Sequence, residues 1–348
     1  MPIEKGALVC VTGANGFVAS YVIRDLLAAG YRVRGTVRDP SNKAKTAHLQ
    51  ALEGSANLEL VAADLMQDGS FDAAMSGCDA AIHCAAAVFF AAKDPQKDLV
   101  DPSVQGTLNA LRAAQKSGSI QRFVHTSSVA AIYDWNAAPD HVFTEDDWNE
   151  SSKLANDPYA VAKVSAERAA VEFVDNLAEN ERFELVHLNP GMVWGPPMIK
   201  AHAGASPALI RDIISRKHPG SPHLWMSVVD VRDVAHAHVL AMEHADPPTR
   251  CILVSDNGWI DDMARQVQAM HPDVKMATRT LPKFAILIAA LVDASLNPRQ
   301  LRHLIGRELP MDGSLSKRAY GMTYRPLDEL LRDTASALID NEWARVNR

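Results

Sequence analysis

The sequence predicts an α/β fold in which a doubly wound parallel sheet is joined to a smaller, mixed C-terminal lobe. Three observations carry this. Over roughly the first 190 residues, short apolar runs alternate with segments of helical period. The first of these runs passes through a glycine turn directly into a helix. The second half loses the alternation and gathers prolines at 196, 197, 207, 219 and 222. Alternating strand and helix means parallel pairing, because strands running the same way need long crossovers, and those crossovers lay helices on both faces.

ALVCVT (7–12) is a continuous apolar run, short enough for a buried strand. FVASYVIRDLLAAG (17–30) has apolar residues at helical spacing and stops at Gly30. YRVRGTV (31–37), LELVAAD (58–64) and DAAIHCAA (79–86) read as strands. SVQGTLNALRAAQKSG (103–118) is helical and again ends in glycine, and QRFVHTSS (121–128) is a strand. PYAVAKVSAERAAVEFVDNLA (158–178) is a helix with Pro158 in its first turn, where a missing N–H is harmless. FELVHLNPG (183–191) and CILVS (251–255) complete the strands. Residues 1–190, with about 226–256, are expected to form a Rossmann-type dinucleotide-binding domain, and about 191–225 with 257–348 a substrate-binding lobe. PKFAILIAALVDASL, near residue 285, is interrupted by Asp293 and falls short of the roughly 20 residues that span a bilayer. It is expected to be buried or to line a pocket.

Composition is that of an ordinary soluble enzyme-sized chain: 348 residues, 47% hydrophobic and 22% charged. A net charge of −7 argues against nucleic acid or an anionic membrane as partner. The opening MPIEKG shows no basic segment followed by an apolar one, so a cytoplasmic protein is expected. Cysteines at 10, 78, 84 and 251 lack CxxC spacing and read as free thiols. His236 and His238, near Asp233, lie on the helical stretch VRDVAHAHVLAME. Residues two apart on a helix point about 200° from one another and cannot share an ion, so no metal site is expected.

The turn TGANGFVA follows a strand and opens a helix, the context in which spaced glycines hold phosphate. Gly13 allows the tight exit, Gly16 allows close backbone approach, and Ala19 is small enough for the helix to pack on the sheet. The helix start then offers free N–H groups and a positive dipole end to a pyrophosphate. Tyr159-Ala-Val-Ala-Lys163 lies on the helix after the fifth strand, which ends Thr126-Ser127-Ser128. Residues four apart share a helix face, so the Lys163 ammonium can sit beneath the Tyr159 phenol. A free phenol has a pKa near 10. A positive charge beside it favours phenolate, and a drop of roughly 3 units, about 4 kcal/mol, would bring it near neutrality. Ser128 can hydrogen-bond a substrate oxygen.

At the end of the second strand stand Thr36-Val37-Arg38-Asp39-Pro40. Val37 cannot accept from a ribose hydroxyl. Arg38, with Lys43 and Lys45 beyond it, suits a 2′-phosphate, whereas Asp39 before a proline reads as a turn or cap residue. The cofactor expected is therefore NADP(H) rather than NAD(H). Asp64 and Leu65 end the third strand near the adenine position, and Ala85 and Ala86 end the fourth beside the cofactor backbone. Phe89, Phe90, Trp135, Met192, Trp194 and Trp225 follow strands or fall in the second lobe and are expected to line an apolar substrate pocket.

These motifs together resemble the extended short-chain dehydrogenase/reductases, specifically the dihydroflavonol reductase-like group with its cinnamoyl-CoA and carbonyl (methylglyoxal-type) reductases. VTGANGFVASYVI, GYRVRGTVRDP, ADL, FVHTSS, YAVAK, LNPGMVWGP and VVDVRDVAHAH occur in family order, and SLSKRAYGMTYRPLDELLRDT is similar to the group's C-terminal segment. The resemblance implies NADPH-dependent reduction of an aldehyde or ketone to an alcohol. It places the catalytic roles on Ser128, Tyr159 and Lys163 and the 2′-phosphate on Arg38 and Lys45. The implied cofactor set adds Thr12, Gly13, Asn15, Gly16, Phe17, Val18, Asp64, Leu65, Ala85, Ala86, Thr126, Pro190, Gly191 and Val193. Ala19 replaces a third glycine, as in carbonyl-reductase members. The loop AVFFAAKDP and the stretch YDWNAAPDHVFTEDDWN do not declare a flavonoid or cinnamoyl-CoA pocket, which leaves the carbonyl substrate open. A 3β-hydroxysteroid-type dehydrogenase, a sugar-nucleotide epimerase and a non-catalytic NADP-binding redox sensor share parts of the pattern. Members of this kind occur as monomers or homodimers.

Overall fold

The computed structural model describes residues 2–86, 94–292 and 297–346. Strands β1 (Leu8–Thr12), β2 (Arg32–Val37), β3 (Leu58–Ala62), β4 (Ala80–His83), β5 (Arg122–Thr126) and β6 (Glu184–Pro190) belong to one sheet. After β7 (Met192–Trp194), β8 (Ser221–Pro222) and β9 (Trp225–Asp230), that sheet gains its seventh strand, β10 (Arg250–Leu253). The order is β10-β6-β5-β4-β1-β2-β3, with every pairing parallel. β7 and β9 join β11 (Asp256–Trp259) in a small mixed sheet, and β12 (Thr280–Leu281) pairs with β8.

The connecting helices are α1 (Phe17–Ala28), α2 (Lys43–Gln50), α3 (Asp72–Met75), α4 (Asp101–Ser117) and α5 (Pro158–Asp175). Those of the later chain are α6 (Ala208–Ile214), α7 (Val231–Glu243), α8 (Ile260–Met270), α9 (Lys283–Val292), α10 (Pro298–Leu304), α11 (Ser314–Tyr320) and α12 (Leu327–Asp340). β1 shows why its run is apolar throughout. Val9 and Val11 pack with Val22, Ile23 and Leu26 of α1 and Val234 of α7, while Cys10 packs with Ala110 and Leu111 of α4. Successive side chains alternate faces, and here both faces are covered, so Leu8 to Val11 are apolar and only Thr12, at the strand's end, is polar, its buried hydroxyl bonded to the Ala85 N–H. Each such aliphatic side chain contributes about 1.5–3 kcal/mol when fully buried.

Helix ends follow the local chemistry. Gly118, at φ +63°, closes α4 in the left-handed conformation. The Asp157 carboxylate accepts from the Ala160 N–H at 3.1 Å and caps α5. The last turn of α7 is finished from a distance. Arg122, fully buried at the start of β5, donates to the carbonyls of Ala241, Met242 and His244 at 3.0, 2.6 and 2.7 Å.

The second lobe packs around Trp194, Ile210, Ile213, Val228, Ile260 and Leu330. The chain then returns to the first: Tyr320 and Met322 enter the main core, and the Arg325 N–H donates to Asp233 at 2.9 Å. The apolar stretch near 285 departs from expectation. It forms α9 and packs Ile286 and Ala290 inward, but Phe284, Ile288 and Leu291 are 67%, 60% and 75% exposed. Its hydrophobicity runs around the whole helix, and among the described residues only one side packs against a neighbour. No described helix is long and apolar enough to cross a membrane.

Candidate active site

The first wall is the turn after β1. Gly13 has φ +66°, and a Cβ there would stand 3.0 Å from Ala85 Cα, so both the turn and the approach of the β4 end call for glycine. Thr12 Oγ1 accepts from the Ala85 N–H at 3.1 Å. The Thr36 hydroxyl and carbonyl take the Gly13 and Ala14 N–H groups at 3.2 and 2.8 Å, which fastens the loop to β2. Gly16 stands before α1 in extended backbone with no side-chain cap, and its N–H donates to Gly13 O at 2.8 Å. The N–H groups of Phe17 and Val18 therefore open the helix without intrahelical partners, a site made for an anion. Ala19 is 1% exposed and packs in the main core.

At the β2 edge, Arg38, Lys43 and Lys45 are exposed. Asp39 Oδ1 accepts from the Ser41 N–H at 2.9 Å and from its hydroxyl at 2.6 Å, bonds that hold the carboxyl below its ordinary range. That carboxylate closes its own turn. The first turn of α2 contains no acidic residue, and two lysines stand where the helix dipole disfavours cations. An arriving phosphate would relieve that arrangement. Asp64 Oδ1 accepts from Met66 N–H at 2.9 Å, and Leu65 touches α4, where a Cβ on Gly106 would come within 2.4 Å of it.

The opposite wall is α5. Its inward stripe carries Tyr159, Lys163 and Glu167, each four residues from the last. Lys163 Nζ donates to the Thr126 carbonyl at 3.2 Å. Tyr159 and Lys163 border one cavity with Leu65, Ala85, Ala86 and His125. Ser127 and Ser128 divide their work. Ser127 donates to Glu167, while Ser128 begins the short turn Val129–Ala131 and its oxygen accepts from the Ala130 N–H at 3.1 Å. The Ser128 hydroxyl hydrogen is thereby left to donate. Tyr133 O–H donates to Asp157 at 2.5 Å, so the cap of α5 is itself held in place.

Beneath this stripe lies a polar layer that sequence reading missed. His83, His125 and His187 stand in register on β4, β5 and β6, with Thr12 of β1 in line. Thr12 Oγ1 is 2.8 Å from His83 Nδ1, and His125 Nδ1 is 3.0 Å from His187 Nδ1. Burial pushes His83 down to about 3, helped by the Lys163 charge, and holds His125 well below the ordinary imidazole value. Glu167 is fully buried; burial raises its carboxyl, but His187, Arg250 and Ser127 pull it to a net value below the ordinary range. Asn189 and Arg250 also donate to it, at 3.0 and 2.6 Å. Each histidine follows an aliphatic β-branched residue, in AAIHC, FVHTS and LVHLN, but it ends β4, stands next to last in β5 and lies mid-strand in β6, so only the register brings the three level.

The remaining candidates separate. Pro190 ends β6, Val193 is buried, and a Cβ on Gly191 would meet Ser227 O at 2.4 Å. Trp135 and Trp225 join one cluster with Ile132, Tyr133, Phe143 and Met311. Met192 packs against the second lobe, and Trp194, with no exposed surface, forms its centre. Phe89 and Phe90 lie outside the described residues. On α7, His236 is exposed while His238 is buried, its Nε2 2.8 Å from Thr126 Oγ1. Cys10, Cys78, Cys84 and Cys251 are free.

A fully parallel doubly wound sheet with a glycine turn at β1 and a tyrosine–lysine helix after β5 defines an oxidoreductase of the short-chain dehydrogenase/reductase class. The profile described as the NAD dependent epimerase/dehydratase family matches residues 9–253, and the chain belongs to that family, in its extended branch. It is 32% identical over 348 residues to the cinnamoyl-CoA reductase CAD2 of Medicago truncatula, covering 98% of each chain. To tetraketide alpha-pyrone reductase 1 of Arabidopsis thaliana it is 31% identical, covering 96% of each. Among solved structures it is similar to Gre2 from Candida albicans in complex with NADPH. There the identity is 29% and the TM-score 0.80, covering 96% of this chain and 99% of that one.

Proposed function

We propose that the protein reduces a hydrophobic aldehyde or ketone to the alcohol with NADPH. The observation that carries this reading is the meeting of Tyr159 and Lys163 with Ala85 and Ala86 around one cavity at the carboxyl ends of the strands. NADPH, bound along Thr12–Val18 with its 2′-phosphate toward Arg38 and Lys45, would supply hydride to the carbonyl carbon. Tyr159 donates the proton that the carbonyl oxygen needs. Lys163, fixed on the Thr126 carbonyl, keeps a positive charge on the same helix face and favours the phenolate left behind. Ser128 donates its free hydroxyl hydrogen to the same oxygen and orients it.

Related chains are named as reductases of cinnamoyl-CoA and of methylglyoxal or isovaleraldehyde, which supports an aldehyde or ketone substrate. NADPH oxidation measured over a panel of aromatic and aliphatic aldehydes and ketones tests the proposal. Turnover of hydrophobic members is expected. Preference for small charged keto acids, or a purified protein that retains NAD tightly and epimerises a nucleotide sugar, would overturn it.

A further inference from the structure

We infer that His202, reaching across from the second lobe, is a positioning residue for the phosphate loop and sets how tightly the dinucleotide is held; this rests on the reading of Gly13–Val18 as a pyrophosphate site. His202 starts the short turn His202–Gly204, and the next residue, Ala203, is buried in the second lobe's core. The imidazole itself is 3% exposed and lies against the first lobe. Its Nε2 is 3.2 Å from Asn15 O, and its ring centroid is 5.6 Å from Phe17 and 5.3 Å from His48. A carbonyl can only accept, so Nε2 carries the proton, and Nδ1 is left bare, buried and without a partner among the described residues. Burial pushes the imidazole down to about 4, so at neutral pH it is a neutral donor of one hydrogen bond.

That bond acts on the loop through peptide planarity. The Asn15 carbonyl and the Gly16 N–H belong to one trans peptide and point opposite ways. His202 holds the first, and Gly13 O holds the second at 2.8 Å. The following peptide is treated likewise. Gly16 O accepts from Ser20 Oγ at 2.8 Å and from Ser20 N at 2.9 Å, while His48 Nε2 stands 3.0 Å from that hydroxyl. With Gly16 O fixed, the Phe17 N–H is aimed out of the helix start, toward the anion position. A second clasp lies on the same side: Tyr21 of α1 donates to Pro196 O at 2.7 Å. The 196–204 segment thus grips the front of α1 from outside the sheet domain.

Binding of NADPH and of NADH to wild type, His202→Ala, His202→Phe and His202→Gln, with kcat at saturating cofactor and a thermal midpoint for each, tests this. His202→Ala and His202→Phe should raise Kd about 5- to 10-fold for both cofactors and leave kcat within about twofold. His202→Gln, whose amide nitrogen can take the place of Nε2 and still donate to Asn15 O, should recover most of the affinity. Wild-type affinity in His202→Phe would show that the ring only fills space and would overturn the inference, as would an effect on NADPH alone. Ser20→Ala, which removes one of the two bonds that hold Gly16 O, keeps the test open should His202 variants lose the fold; unchanged Kd there also counts against it. A wild-type protein that binds neither cofactor would instead overturn the reading of the loop.

Discussion

The two corners of the candidate site are built on opposite electrostatic plans. At the β2 edge the charged groups Arg38, Lys43 and Lys45 stand in solvent, and the neighbouring acid, Asp39, is occupied by Ser41. Under α5 the ionisable groups are buried and bond to one another or to neighbouring side chains: Glu167 with Arg250, Ser127 and Asn189, His125 with His187, and His83 with Thr12, while His187 Nε2, Asn189 Oδ1 and Arg250 Nη2 find no partner among the described residues. Exposed cations cost little to hold and wait for an anion, so they can be exchanged singly with effects confined to ligand choice. Buried groups hold only as a set, because each unpaired member bears its full desolvation cost. Specificity for the cofactor can therefore vary at one corner while the chemistry at the other stays rigid.

The largest expected effect lies at the buried corner. Tyr159→Phe should lower turnover by roughly 10³-fold while NADPH binding persists, checked by steady-state kinetics beside a binding titration. Retained activity would remove the tyrosine from the reaction. Glu167→Gln leaves Arg250 buried without its counter-charge, and a loss of about 3–5 kcal/mol in urea unfolding is expected. A loss below about 1 kcal/mol would mean that the corner is wetter than its burial implies.

Acid should reveal the buried histidines, those of this corner together with His202 and His238 beyond it. His83, His125, His187, His202 and His238 all sit below the ordinary value of 6.5, burial being the largest cause for each. The unfolded chain therefore takes up protons before the folded one does. Stability is complete above about 6.5 and is lost as pH falls toward the folded values, about 4 for His202 and His238 and about 3 for His83. Each group contributes about 1.4 kcal/mol per pH unit inside its window. Urea midpoints measured from pH 7.5 downward should hold level and then fall steeply; a flat profile to pH 5 would contradict the neutral histidine layer.

At the exposed corner, Arg38→Asp should raise the Kd for NADPH about 10- to 100-fold and leave NADH nearly unchanged. Equal effects on both would move the 2′-phosphate elsewhere. The smallest effect is expected on α9, where Phe284→Ser should change stability by less than about 0.5 kcal/mol, since that side chain is 67% exposed.

Much of the first domain was legible because its signals are local. Strand runs were apolar for burial on both faces, glycine closed α4, and proline opened α5. The glycine turn and the Tyr159–Lys163 spacing were readable for the same reason: each depends on residues within one or two turns of one another. α9 was misread because hydrophobicity shows what could be buried, and burial also requires a neighbour.

Periodicity and turn chemistry, which act over a few residues, made readable in the sequence itself the strands of the main sheet, the glycine turn after β1 and the stripe that joins tyrosine to lysine. The sheet register decided the rest. It set histidines 62 residues apart at hydrogen-bond distance, and lobe packing brought His202 to a carbonyl 187 residues away. No local pattern encodes those meetings, because they exist only once parallel strands have aligned and the second lobe has packed against the first.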